Sequence, residues 1–136
     1  LMTSKLNLIV MIDDDNLQNL INQKIISRLA CAQETKVFQH ATDALDYFRS
    51  ALQGDLTLPE LVLLDINMPK MNGWEFLDIF KNIQQESDYH PVIFMLTSSL
   101  HPQDLDTAKT YSGVKEFVNK PLTIESFSAL IEAYFH

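Results

Sequence analysis

Two kinds of apolar stretch alternate along the chain. Short continuous runs occur at Leu6–Ile12, Leu61–Leu64 and Val92–Leu96, with shorter ones at Lys36–Phe38 and Glu116–Val118. Continuous hydrophobicity over the length of a strand predicts strands covered on both faces. Between these runs the spacing becomes helical. Leu17, Leu20, Ile21, Ile25 and Leu29 make one stripe, Ala44, Leu45 and Phe48 a second, and Trp74, Leu77 and Phe80 a third. Leu105, Ala108 and Tyr111 make a weaker one, and Ile124, Phe127, Leu130, Ile131 and Tyr134 the last. Residues so spaced share one face of a helix.

Caps mark the helix starts. Asp15 with Gln18, and Asn72 with Glu75, have the spacing of capping boxes, and Thr42 and Thr123 are expected N-caps. "GDLTLPE" and "QQESDYHP" read as loops. The order is therefore strand then helix, repeated five times. Right-handed crossovers turn that order into a parallel sheet with helices on both faces. The predicted class is α/β: a flavodoxin-like, doubly wound (βα)5 fold with strand order 2-1-3-4-5.

Composition narrows the picture. With 136 residues and 46% hydrophobic content, the chain is expected to form one domain over residues 1–136, its core at about residues 6–135. The formal net charge of −8 argues against direct binding to nucleic acid, which needs a basic surface. The single cysteine, Cys31, excludes an internal disulfide and a cysteine-rich zinc site, and fits a reducing compartment. The four histidines have no metal-ligand spacing. No apolar run is long enough to span a membrane, and "LNLIVMI" leads into three acids rather than a signal-peptide layout, so a cytoplasmic protein is expected. Leu1 reads as an extraneous residue ahead of a natural start at Met2.

In open sheets of this class, ligands bind beyond the carboxyl ends of the strands. There the first strand delivers Asp13, Asp14 and Asp15, the third Asp65, the fourth Thr97 and Ser98, and the fifth Lys120. Each has an ordinary explanation alone: a helix cap, a turn, a strand end, a solvated charge. Together at the ends of strands that share one crevice, they point to chemistry. Clustered carboxylates repel and call for a cation, and an all-oxygen set favours Mg²⁺, which keeps waters and shares phosphate. A lysine and a hydroxyl opposite would hold the remaining phosphoryl oxygens.

These residues belong to longer motifs: "MIDDDN" at 11–16, "LLDINMPKMNGWEFL" at 63–77, "IFMLTSS" at 93–99 and "KEFVNKPLT" at 115–123. In content and order the chain resembles, from about Leu6 to Phe135, a receiver domain of bacterial two-component response regulators. The resemblance implies that Asp65 is the phosphoacceptor, and that Asp13 and Asp14 hold Mg²⁺, Asp14 directly and Asp13 through water. It implies that Asn67 completes the metal shell through its backbone carbonyl. Thr97 matches the switch hydroxyl, Lys120 the lysine that pairs with acceptor and phosphoryl group, with Ser98 beside them at the phosphoryl site. Phe117 matches the aromatic switch, and Pro121 stands where the family commonly has a cis peptide bond. Asn72 replaces the family's usual aspartate, Phe117 lacks a tyrosine's hydroxyl, and the Leu52–Pro59 connection is long.

The implied function is transfer of a phosphoryl group from a phosphohistidine of a sensor histidine kinase, or of a histidine phosphotransfer protein, onto Asp65. Water then resets the switch, with Asn67 and Ser99 tuning its lifetime. Such a domain is a phosphoacceptor rather than an enzyme, and its signal leaves through the face of helix four, strand five and helix five toward a downstream protein. The chain ends after the last helix, so no output domain is expected within it. A stand-alone receiver and one cut from a larger protein both fit, as do a monomer and a phosphorylation-dependent homodimer.

Three rivals share parts of the pattern. A phosphatase or phosphotransferase with an aspartyl intermediate usually carries a second acid two residues on, where this chain has Asn67. A flavodoxin-like nucleotide or flavin module would need a glycine-rich loop after the first strand, where three acids stand instead. A receiver that signals without phosphorylation would have no need of the full set of acids, Thr97 and Lys120.

Overall fold

The computed structural model describes residues 5–85, 87–99 and 101–135. Ten elements alternate: β1 Leu6–Ile12, α1 Asn16–Leu29, β2 Ala32–Phe38, α2 Ala41–Leu52, β3 Leu61–Asp65, α3 Gly73–Gln84, β4 Val92–Thr97, α4 Pro102–Ala108, β5 Val114–Asn119 and α5 Ile124–Tyr134. The strands pair in parallel in the order β2-β1-β3-β4-β5. This is the flavodoxin-like arrangement that the alternation predicts.

The central strands explain their own hydrophobicity. Leu8, Val10 and Ile12 of β1, with Val62 and Leu64 of β3, pack against α2 and α3 through Phe48, Phe76 and Phe80. Ile9 and Met11, with Leu61 and Leu63, pack the other way onto Ile25 and Ile26 of α1 and Phe127 and Ile131 of α5. Both faces are covered, so successive residues of one strand serve two cores. Cys31 is a free, buried thiol of the second core.

The edge strands are longer than their apolar runs. β2 begins at Ala32 and β5 at Val114, ahead of those runs, taking in Glu34 and Lys115. Polar residues are compatible with an edge, where one side of the ladder meets solvent.

Two cap expectations change. Thr42 lies inside α2, whose N-cap is His40 with no side-chain cap bond. Asp15 caps α1 by accepting from the amides of Leu17 and Gln18, but Gln18 does not return the bond and donates to Asn22 Oδ1 instead. Asn72 with Glu75 forms the full box that opens α3, and Thr123 with Ser126 forms another at α5. The α1 stripe is also corrected. Leu17 and Leu20 are 65% and 48% exposed, while Gln18, Asn19, Asn22, Ile25 and Ile26 face inward. α4 stops at Ala108, leaving Tyr111 of the expected stripe in the turn that follows.

The long α2–β3 connection is held down. Tyr47 and Tyr89 donate their hydroxyls to the carbonyls of Thr57 and Pro59, both at 2.6 Å, and Asn7 Nδ2 donates to Leu58 O. No helix among the described residues is long and apolar enough to cross a membrane.

Candidate functional site

The carboxyl ends of β1, β3, β4 and β5 open onto one crevice. The backbone of Asp13 follows Ile12, the last paired residue of β1, and its amide still donates to Phe38 O at 3.1 Å. Asp65 closes β3 opposite Leu96 of β4. Lys120 follows β5, its amide donating to Thr97 O at 2.7 Å, and the Lys120–Pro121 peptide bond is cis. The register of the sheet thus delivers all four chemistries to one edge.

Asp13, Asp14 and Asp65 each offer a carboxylate oxygen, and these oxygens lie within 4.8 Å of one another. Asp13 and Asp65 are buried, whereas Asp14 is exposed at the mouth. Lys120 Nζ lies 2.7 Å from Asp13 Oδ2 and 3.1 Å from Asp65 Oδ1. Burial, then the charge of Asp13, push the Asp65 carboxyl up to about 6, against the opposing pull of Lys120. Burial alone would lower Lys120, but the hydrogen bond and charge of Asp13 outweigh it and hold the ammonium up. One ammonium among three carboxylates leaves the crevice negative. Its donor set, all oxygen and open toward solvent through Asp14, fits Mg²⁺.

The loop after Asp65 is built for close approach. The Asn67 amide donates to Asp65 Oδ1 at 3.3 Å, and the Gly73 amide donates to Ile66 O at 2.8 Å. A Cβ on Gly73 would stand 2.8 Å from the Asp65 carbonyl oxygen and 2.9 Å from Met95 Cε, so only glycine lets α3 start against the strand end. Lys70 takes a left-handed turn, φ 69°, between them.

Thr97 is fully buried, and its hydroxyl is engaged by Ser99: it donates to Ser99 O at 2.9 Å and accepts from Ser99 N at 3.1 Å. Ser99 Oγ in turn lies 3.0 Å from His101 Nε2. Ser98, expected among the phosphoryl-binding groups, is exposed and is not among the side chains joined to Asp13, Asp65 or Lys120. Phe117 is half-buried, 6.4 Å centroid to centroid from Trp74, which stacks on Tyr111 at 5.7 Å. Tyr111 donates its hydroxyl to Asp78 Oδ1 at 2.7 Å, tying the turn after α4 to α3.

Sequence reasoning missed Trp74 and Tyr111 as neighbours of Phe117, having assigned both to helix stripes. It also missed Asn19, whose Nδ2 donates to Asp13 O at 2.8 Å. The signal for the latter was a run of amides early in α1, Asn16, Gln18, Asn19, Asn22 and Gln23.

A family model described as the response regulator receiver domain matches residues 9–132. The chain belongs to this receiver family. A two-component response regulator from Cytophaga hutchinsonii has a crystal structure similar to this receiver, with a TM-score of 0.86 and 30% identity over 95% of this chain and 96% of that one. A probable methanogenesis regulatory protein FilR2 of Methanothrix harundinacea is 29% identical over 92% of this chain and 79% of its own length. The DNA-binding transcriptional regulator NtrC of Proteus hauseri is 32% identical over 89% of this chain, which spans only 23% of that protein. The receiver is a signalling phosphoacceptor domain rather than a classical enzyme. Family membership displaces the phosphatase and the flavin or nucleotide module as readings of the crevice.

Proposed function

We propose that this receiver takes a phosphoryl group onto Asp65 from a phosphohistidine of a sensor histidine kinase or a histidine phosphotransfer protein. The observation that supports it best is the crevice itself: Asp13, Asp14 and Asp65 within 4.8 Å, bridged on one side by Lys120.

In the proposed step a carboxylate oxygen of Asp65 attacks phosphorus in line. The O–P bond forms as the P–N bond to the imidazole breaks, and the electron pair leaves with the imidazole nitrogen. Mg²⁺, held by Asp13, Asp14, Asp65 and the Asn67 carbonyl, would neutralise the phosphoryl oxygens when bound. Lys120 is already aimed at Asp65 and supplies a second positive charge without reorganising. Hydrolysis reverses the state: water adds to phosphorus, inorganic phosphate departs and the Asp65 carboxylate returns. Asn67 and Ser99 flank the path of that water and tune the lifetime.

The switch follows from the bonds that must change. Thr97 exchanges Ser99 O for a phosphoryl oxygen, and Phe117 leaves Trp74 to fill the space behind it. The face of α4, β5 and α5 then presents a different surface to a downstream protein, in a population shift driven by the contacts of the phosphoryl group. Leu17 and Leu20, exposed near the crevice, give a phosphohistidine donor an apolar surface to cover. Such a donor places this receiver in the cytoplasm, as a monomer or as a homodimer formed on phosphorylation.

The test is incubation with Mg²⁺ and acetyl phosphate followed by intact mass measurement. The wild-type chain should gain one phosphoryl group. Failure to gain it, or a gain that persists in Asp65→Asn, would count against the reading.

A further inference from the structure

The first half of α1 is inside out. Leu17 and Leu20 face solvent while Gln18, Asn19 and Asn22 are buried. Burying amides is costly unless each finds a partner. Gln18 and Asn22 satisfy one another, Gln18 Nε2 donating to Asn22 Oδ1 at 3.0 Å. Asn19 is different. It is 3% exposed, its Nδ2 donates to the Asp13 carbonyl at 2.8 Å, and its Oδ1 has no hydrogen-bond partner among the described residues. An unsatisfied buried acceptor costs about 1–3 kcal/mol. A leucine would fill similar space without that cost, so the one donated bond is what distinguishes asparagine here.

That bond lands where the sheet can no longer help. Asp13 lies beyond the last pairings of β1, Ile12 with Phe38 and Ile12 with Leu64. Its amide is held by Phe38 O, its Oδ1 by the Asp15 amide at 2.9 Å and its Oδ2 by Lys120. Its carbonyl has left the ladder, and a buried carbonyl needs a donor. Asn19 supplies one from the second turn of α1. Both backbone groups and both carboxylate oxygens of Asp13 are then fixed.

We infer that Asn19 is a positioning residue for Asp13: by pinning the carbonyl of Asp13 it sets the aim of the carboxylate that faces the cation site and Lys120. The inference rests on the phosphoacceptor reading above. It also accounts for an amide turned inward at the end of α1 nearest the crevice, while Ile21, Ile25 and Ile26 pack inward further along the helix. Partners that orient a ligand from behind are worth as much as the ligand's own geometry allows.

The test compares two variants of the full chain. Asn19→Leu deletes the bond to Asp13; Asn22→Leu deletes the Gln18–Asn22 pair in the same helix and leaves Asp13 alone. Mg²⁺ affinity is measured by calorimetry, without a phosphodonor. Asn19→Leu should weaken Mg²⁺ binding about tenfold, with Asn22→Leu staying within about twofold of wild type. Unchanged affinity in Asn19→Leu, or equal losses in both variants, would overturn the inference. Should Asn19→Leu not fold, the wild-type protein answers by NMR. The Asn19 side-chain amide should shift during a Mg²⁺ titration with the midpoint of the Asp13 backbone amide, and a stationary signal counts against the role. The phosphoacceptor reading fails separately, if Asp65→Asn still takes up phosphate from acetyl phosphate.

Discussion

Lys120 Nζ lies 2.7 Å from Asp13 Oδ2, an ion pair with both partners largely buried. The same ammonium reaches Asp65 at 3.1 Å, so one lysine divides its charge between a cation-site acid and the proposed nucleophile. Replacing it by methionine keeps the stem and removes the charge. Lys120→Met should still bind Mg²⁺, several-fold more tightly, because the carboxylates lose their resident cation. Transfer from acetyl phosphate at saturating Mg²⁺ should nevertheless slow by at least about tenfold, since the charge on the phosphoryl oxygens goes unmatched. Calorimetry and a mass time course measure the two effects; a parallel loss in both would argue against separate roles.

Asp65 gives the metal-free protein a pH-dependent liability. Its carboxyl rises from 3.8 to about 6 on folding, so the folded state holds the proton more tightly than the unfolded chain. The stabilising contribution is therefore complete below about 4 and is lost as pH climbs through about 6. Asp65→Asn, which cannot ionise, should be more stable than wild type at pH 7 without metal, by on the order of 2–3 kcal/mol. Urea unfolding at pH 4 should show the difference gone. A gap of the same size at both pH values would mean that it does not arise from ionisation.

Trp74, the only tryptophan in the chain, packs beside Phe117. Its fluorescence should therefore follow the movement proposed for Phe117. Phosphorylation with acetyl phosphate should change the emission of wild type, and Phe117→Ala should abolish most of that change while still accepting phosphate. Thr97→Val should also accept phosphate yet leave the emission near its unphosphorylated value, because the hydroxyl bonded to Ser99 O, proposed to turn to the phosphoryl group, is gone. An undiminished response in both variants would remove Thr97 and Phe117 from the switch.

Leu17 and Leu20 separate docking from chemistry. Both side chains are exposed on α1, and neither belongs to the acid cluster. Leu17→Glu with Leu20→Glu should leave the rate with acetyl phosphate within about twofold, since surface changes of this kind perturb the fold little. Transfer from a phosphorylated histidine protein should fall by more than about tenfold as apolar area at the interface is replaced by charge. Equal rates from the protein donor before and after substitution would move the docking surface elsewhere.

The parts of the fold that could be read from sequence are those where one force dominates. β1, β3 and β4 are buried on both faces, so hydrophobicity alone marks them. β2 and β5 lie at the edges, and polar residues such as Glu34 and Lys115 hid their first residues. Ile21, Ile25 and Leu29 of the α1 stripe do face the core, but Leu17 and Leu20 were misread because a stripe of apolar residues presumes that apolar means inward. Here Gln18 pairs with Asn22 and Asn19 bonds Asp13 on the inward face, and the two leucines are exposed. Thr42 failed as a cap because the chain enters α2 at His40, a backbone choice that a threonine two residues later does not control.

The site was legible for a topological reason. Asp13, Asp65, Thr97 and Lys120 each follow or end a strand of one parallel sheet, and parallel strands send their carboxyl ends the same way. What sequence could not supply is the state of each side chain. That Lys120 favours Asp13 over Asp65, that Thr97 bonds Ser99, and that Ser98 faces solvent are rotamer-level outcomes of packing.

Asp65 is the residue proposed to carry the phosphoryl group. An acyl phosphate is reduced by borohydride to the alcohol, which converts a phosphorylated aspartate into homoserine and leaves free carboxylates untouched. The protein is phosphorylated with acetyl phosphate and Mg²⁺, reduced, digested and sequenced by tandem mass spectrometry. Homoserine at position 65, dependent on Mg²⁺, is the predicted result. Homoserine at Asp13 or Asp14 instead, or at no position in protein that gained phosphate, would rule out Asp65 as the phosphoacceptor.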